Sequence, residues 1–124
     1  MKILLSLFFL SIILTGCSSS EAEFSFMSGQ DAYELIASGA EVTILDVRSE
    51  AEFLSGHIEG AVLLPVDEIE ERAGSVLVDK DAVILVICQS GNRSQVASQE
   101  LVNLGFTNVY DIGGIMSWPG EIVQ

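Results

Sequence analysis

The sequence predicts an α/β fold, a small parallel sheet of about five strands with helices on both faces. Three observations predict it. Short β-branched or apolar runs alternate along the chain with stretches of helical spacing. The run 82–88 (Ala-Val-Ile-Leu-Val-Ile-Cys) is apolar without a break, as in a central parallel strand covered on both faces. The 124 residues are 49% hydrophobic and 19% charged, which suits one packed domain and excludes a disordered chain.

The elements follow in order. Residues 23–27 form a short first strand. Ser28 is a helix N-cap with Asp31 three residues on, the spacing of a capping box. Ala32, Leu35 and Ile36 supply the apolar face of that helix, and Gly39 ends it. Residues 42–47 (Val-Thr-Ile-Leu-Asp-Val) read as a buried strand, and 49–55 as a short helix stopped by Gly56. Residues 61–64 form a short strand closed by Pro65, and 67–72 an acidic helical turn or two. After the central strand, 94–104 is helical, with Ala97, Leu101 and Leu104 on one face and Gly105 at its end. Residues 109–112 form the last strand.

The first residues stand apart from this pattern. Met1-Lys2 is followed by an apolar run over 3–14, broken only by Ser6 and Ser11. Its 12 residues are too few for a spanning helix, which needs about 20. They fit the h-region of an export signal, about 7–15 residues long. Leu14-Thr15-Gly16-Cys17 then resembles the lipobox of bacterial lipoproteins, in which the cysteine receives lipid and becomes the new N-terminus. The expected organisation is a signal peptide over 1–16, a lipidated Cys17 opening a solvated tether over 17–23, and a folded domain over 24–124. The protein is then exported and anchored in a bacterial membrane through Cys17, on the periplasmic side or at the cell surface.

Composition narrows function. The net charge of −13 excludes the basic face that nucleic-acid binding requires. Two cysteines, at 17 and 88, cannot build a disulfide scaffold, and with a single histidine there is no cluster for a structural metal. Once Cys17 is consumed by lipid, Cys88 is a lone thiol in an exported protein. Such a thiol is either buried and inert or chemically employed.

The sequence around Cys88 favours employment. Cys88-Gln89-Ser90-Gly91-Asn92-Arg93-Ser94 lies between the strongest strand and a helix, where open α/β sheets place their ligands. A small Gly-bearing loop there turns successive N–H groups inward and leads into the positive end of a helix. That field favours the thiolate, so an exposed nucleophile in a cradle of N–H donors is expected, with no histidine base.

This loop resembles the active-site loop of rhodanese domains, the sulfurtransferases, in its Cys-x-x-Gly-x-Arg-Ser pattern. Residues 46–65 resemble the family's N-terminal signature at Asp46, Arg48, Glu52, Phe53, Gly56, His57, Ile58, Gly60, Ala61 and Pro65. Gly113-Gly114 followed by Trp118 resembles its C-terminal signature. The resemblance runs from Phe24 to about Val123. It implies a ping-pong transfer without a cofactor or metal, in which Cys88 takes sulfur from a small donor and passes it to a thiophilic acceptor, small or protein. Gln89, Ser90, Gly91, Asn92 and Arg93 are then expected to bind substrate, and Asp46, Arg48 and Ser94 to support the site. Arg93 either pairs with a carboxylate and holds the loop closed or touches the donor's oxyanion. Asp46 and Arg48 read as a structural ion pair, His57 as a hydrogen-bonded structural residue, and Trp118 as core.

Two alternatives differ in chemistry. Cysteine phosphatases and arsenate reductases use a similar thiolate, but with five residues between Cys and Arg; here there are four. A non-enzymatic module of the same family would carry sulfur or bind a partner. The loop residues between Cys88 and Arg93 are uncharged, and the acidic chain gives dianionic thiosulfate no long-range steering. Polysulfide or a protein persulfide therefore competes with thiosulfate as the donor.

Overall fold

The computed structural model describes residues 23–124. Cys17, the signal peptide and all of the tether but Glu23 lie outside the described residues.

Five strands form one parallel sheet in the order β1-β6-β5-β2-β4: β1 (Ser25–Phe26), β2 (Thr43–Asp46), β4 (Val62–Leu63), β5 (Val83–Cys88) and β6 (Asn108–Gly114). The helices are α1 (Gly29–Ala37), α2 (Glu50–Ser55), α3 (Ile69–Val76) and α4 (Asn92–Asn103). The α/β class and the five-strand parallel sheet match the sequence expectation.

Strand β5 explains the layering. Its side chains alternate between two cores. Ile84, Val86 and Cys88 face a cluster with Ile69 and Ala73 of α3 and Ala97 and Leu101 of α4. Leu85 and Ile87 face the opposite cluster, with Ala32 of α1, Ile58 and Ile112. Burial on both faces is why the run is apolar at every position. The same alternation sends the Cys88 side chain to the α3–α4 face.

Local signals act where the sequence places them, with adjustments. The Ser28 hydroxyl accepts the Asp31 amide at 3.0 Å and caps α1. A full reciprocal capping box forms at the start of α2, between Ser49 and Glu52. Helix α4 begins at Asn92 rather than at residue 94, because Gly91 takes a left-handed φ of 107° and turns the chain directly into the helix. The loop after Cys88 is thus only three residues long. A second, two-stranded antiparallel sheet joins β3 (His57–Ile58) to β7 (Ile122–Val123), a pairing no local pattern announces. Trp118 packs against the α1-side cluster and meets Tyr33 edge-on at 5.8 Å.

The topology also locates a crevice. From β2 the chain runs outward to β4, then returns to lay β5 on the other side of β2. Ligand sites of open α/β sheets lie at such switch points, beyond the carboxyl ends of the strands. Here those ends are Asp46 and Cys88, and β5 pairs with β6 through a register irregularity that brings Gly114 opposite Cys88.

The central strand carries much of the stability. Leu85→Ala empties a fully buried site between α1 and the sheet, and should lower the unfolding free energy by about 2–5 kcal/mol. Urea denaturation of the variant measures it; a loss under about 1 kcal/mol would mean that the α1 layer collapses onto the gap.

Candidate active site

Cys88 ends β5 with no solvent exposure. This differs from the exposed thiolate that the sequence suggests. The reason is the tightness of the loop: Gly91 folds back so that its N–H donates to Cys88 Sγ at 3.0 Å. The Cys88 thiol lies 3.4 Å from the Ser94 hydroxyl, which itself donates to the Gly91 carbonyl at 3.1 Å. A small ring thus joins Cys88, Gly91 and Ser94. The expected cradle of several amides reduces, at the sulfur itself, to the Gly91 N–H. The first-turn amides of α4 follow immediately, and such amides have no partner within a helix. They supply a partial positive charge at the mouth of the loop.

The two arginines of the predicted site have separate structural partners. Arg48 is 2% exposed and Asp46 fully buried. Arg48 Nε donates to Asp46 Oδ1 at 3.0 Å, and its Nη2 donates to Asp46 Oδ2 at 2.8 Å. The same Nη2 donates to the Gly56 carbonyl at 2.7 Å, and Nη1 to Gln89 Oε1 at 3.3 Å. Asp46 Oδ1 also accepts the Arg48 backbone N–H at 3.0 Å.

Arg93 sits in the first turn of α4 and makes a two-pronged contact with Glu52 of α2. Nη1 donates to Oε1 at 2.7 Å and Nη2 to Oε2 at 2.8 Å. Of the two roles open to Arg93, the carboxylate pair is the one formed. This changes the expectation of Arg93 as a substrate ligand: its fork is occupied by Glu52. The Arg93 hydrogen bonds hold the Glu52 carboxyl at about 2, below its ordinary 4.5; burial opposes this, and the Ser49 amide and hydroxyl assist.

Gln89 turns its side chain to Arg48 rather than to the mouth of the site. Ser90 and Asn92 are exposed at the rim. His57 is structural: its Nδ1 lies 2.9 Å from the Phe53 carbonyl and its ring stacks on Phe53 at 3.8 Å. Glu52, Gly56 and Gly114 complete the site without having been singled out as site residues. Glu52 carried a legible signal, the Ser-x-x-Glu spacing of its capping box; its pairing with Arg93 carried none.

Beside Asn92 and Arg93 lies a cavity of about 470 Å³ between α3 and α4, also lined by Val66, Asp67, Glu70, Val96 and Glu100. Burial first, and then the charges of Glu70 and Asp67, push the Glu100 carboxyl up. The approach to the loop from this side is negative.

A family model described as a rhodanese-like domain matches residues 28–121. The thiosulfate sulfurtransferase GlpE of Pseudomonas entomophila is 39% identical over 108 residues, covering 83% of this chain and 95% of that protein. The putative sulfur carrier protein YrkF of Bacillus subtilis is 34% identical over 87 residues, covering 69% of this chain and 46% of that protein. The crystal structure of a rhodanese-related protein from Thermoplasma volcanium superposes with a TM-score of 0.70 at 34% identity, covering 81% of this chain and 98% of that one.

The Glu52–Arg93 pair gives the stability a specific acid dependence. A carboxyl lowered by folding contributes fully above its unfolded value of 4.5, and that contribution disappears as pH falls through about 2. Denaturant midpoints of the wild type and Glu52→Gln should therefore differ by a constant amount down to about pH 4.5, then converge near pH 2. A difference independent of pH over the whole range would show that the pair acts through packing and not through charge.

Proposed function

The chain belongs to the rhodanese-like domain family, and from that membership we propose that it is a sulfurtransferase working through a persulfide on Cys88. The observation that carries the reading is a cysteine at the carboxyl end of the central strand, with the Gly91 N–H directed at its sulfur and the amino end of α4 behind it.

The reaction divides into two displacements. The Cys88 thiolate attacks the outer sulfur of the donor. The donor's S–S bond breaks, its electron pair leaves with the donor fragment (sulfite, for thiosulfate), and Cys88 holds a persulfide. A thiophilic acceptor then attacks the terminal sulfur and Cys88 leaves again as thiolate. The Gly91 N–H is aimed at Cys88 Sγ, and the first-turn amides of α4, which has no side-chain cap, would receive the anionic terminal sulfur. Ser90 and Asn92 are exposed at the rim, and on this reading they meet donor and acceptor.

Charge bears on the donor. The chain carries −13, the loop residues between Cys88 and Arg93 are uncharged, and the Arg93 fork is already paired. A dianion meets repulsion on approach, which favours polysulfide or a protein persulfide as the donor. Full burial of Cys88 favours a second reading, a sulfur carrier that loads once and hands its sulfur to a dedicated partner. The proposal also includes an exported, lipid-anchored location. It rests on the 12-residue apolar run leading to Leu14-Thr15-Gly16-Cys17.

Intact-mass spectra after thiosulfate treatment test the central step. The wild type should gain about 32 Da, one sulfur held covalently, and Cys88→Ser should gain nothing. An adduct that persists in Cys88→Ser would remove Cys88 from the mechanism. Multiple turnovers with cyanide distinguish the enzyme from the carrier, which would stop after one. With thiosulfate as donor, kcat/KM should rise with ionic strength as repulsion is screened; a fall would show attraction and restore thiosulfate as the favoured donor.

The location has its own measurement. Native material should carry an acylated Cys17 at its N-terminus. A retained Met1 or an unmodified Cys17 would exclude the anchor.

A further inference from the structure

Gln89 is the first residue after the sulfur-bearing Cys88, and it is gripped from two sides. Its Oε1 accepts from Arg48 Nη1 at 3.3 Å. That guanidinium cannot drift, since Asp46 holds it on two nitrogens and the Gly56 carbonyl fixes Nη2 at 2.7 Å. On the other side the Gln89 main chain lies on the end of β6. A Cβ added to Gly114 would come within 2.4 Å of the Gln89 carbonyl oxygen and 2.8 Å of Ser90 Cα. The Gly114 site has room only for hydrogen, and the clash would be with backbone that cannot swing aside. The peptide after Cys88 is thus pinned between an arginine anchored on β2 and the bare backbone of β6. Two residues further on, the Gly91 N–H meets the sulfur at 3.0 Å.

We propose that Gln89 is a positioning residue: clamped by Arg48 and seated on Gly114, it sets the loop so that the Gly91 N–H is aimed at Cys88 Sγ. The inference rests on the sulfur-transfer reading for its effect on turnover, but not for its effect on the sulfur. The side chain does not act by touching the donor, because its oxygen is spent on Arg48. Its influence is geometric. A three-residue loop has few ways to absorb the release of its first residue, so freeing Gln89 moves the amide at Gly91. Hydrogen bonds to a charged group weaken steeply as distance and angle worsen.

The test uses the full-length protein with Gln89→Met, Gln89→Glu and Gly114→Ala. Methionine keeps the length of the side chain and removes the acceptor; glutamate keeps the acceptor and strengthens it toward a guanidinium. Two readouts are taken: the rate of Cys88 alkylation by iodoacetamide as a function of pH, and kcat and KM for sulfur loading from thiosulfate. For Gln89→Met the rate of Cys88 alkylation at neutral pH should fall about tenfold as the sulfur loses its aligned Gly91 donor. Loading kcat should fall about tenfold, with KM within about twofold of the wild type. Gln89→Glu should restore the profile and kcat. Gly114→Ala should reproduce the loss with the Gln89 side chain intact, while circular dichroism stays that of the folded protein.

An alkylation profile unmoved in Gln89→Met would overturn the inference. So would an equal loss in the Met and Glu variants, which would make the amide group itself the requirement, or a loss confined to KM, which would make Gln89 a donor contact. If the wild type takes up no sulfur, the sulfur-transfer reading fails. The alkylation profile still decides the role of Gln89 in that case.

Discussion

Burying a carboxylate and a guanidinium together is costly unless every lone pair and proton finds a partner. Asp46 and Arg48 answer that cost at the end of β2, where all three guanidinium nitrogens donate and both carboxylate oxygens accept, and the way they do so shapes the site. Once its bonds to Asp46 are made, Arg48 has donors left over. They go to the Gly56 carbonyl, at the end of α2, and to Gln89, at the start of the loop after Cys88. One ion pair therefore ties together the strand beside the site, the helix above it and the loop that carries the thiol. The segment 46–56 grips the loop a second time through Glu52 and Arg93. The first grip is buried. The second is about one-third exposed on each side chain, and acid releases it as Glu52 takes up a proton.

The sheet supplies the frame for these contacts. The strand order turns back at β2 and β5, so the carboxyl ends of two neighbouring strands open onto one crevice. β5 is packed on both faces, which fixes Cys88 to the degree that a central strand is fixed. β6 supports the loop from below because Gly114 has no side chain. The three-residue loop is held by Arg48, by the close approach of Gly114 and by its own Gly91 N–H on the sulfur, and Cys88 has no solvent exposure. The partly exposed Glu52–Arg93 pair holds the start of α4 just beyond the loop.

The electrostatics are similarly divided by distance. Close to the sulfur, the Gly91 N–H and the amino end of α4 favour negative charge. Further out, Asp67, Glu70 and Glu100 line the cavity next to Arg93. An anion is welcome at the thiol and unwelcome on the way to it. On the proposed sulfur-transfer reading, the acidic exterior biases the choice of partner toward less negative donors and acceptors.

Much of the fold was legible because it is written in local pattern. The unbroken run ending at Cys88 identified the central strand, and helix spacing with Ser28 and Gly56 identified α1 and α2. The Cys-x-x-Gly-x-Arg-Ser loop, with four residues between Cys88 and Arg93, carried the family resemblance. What local pattern could not contain was which chain segments meet. Gln89 and Arg48 are 41 residues apart in sequence, as are Arg93 and Glu52. The β3–β7 pair is two residues long on each side, too short to leave a period. Burial of the sulfur was equally invisible, since it depends on Gly91 turning back over Cys88 and on Gly114 admitting the loop. The sequence by itself determined the central strand and the cysteine that ends it, because both follow from periodicity and burial along one segment. Only the tertiary structure decided what holds Cys88, because strand order brings together side chains whose separation along the chain gives no sign of their contact.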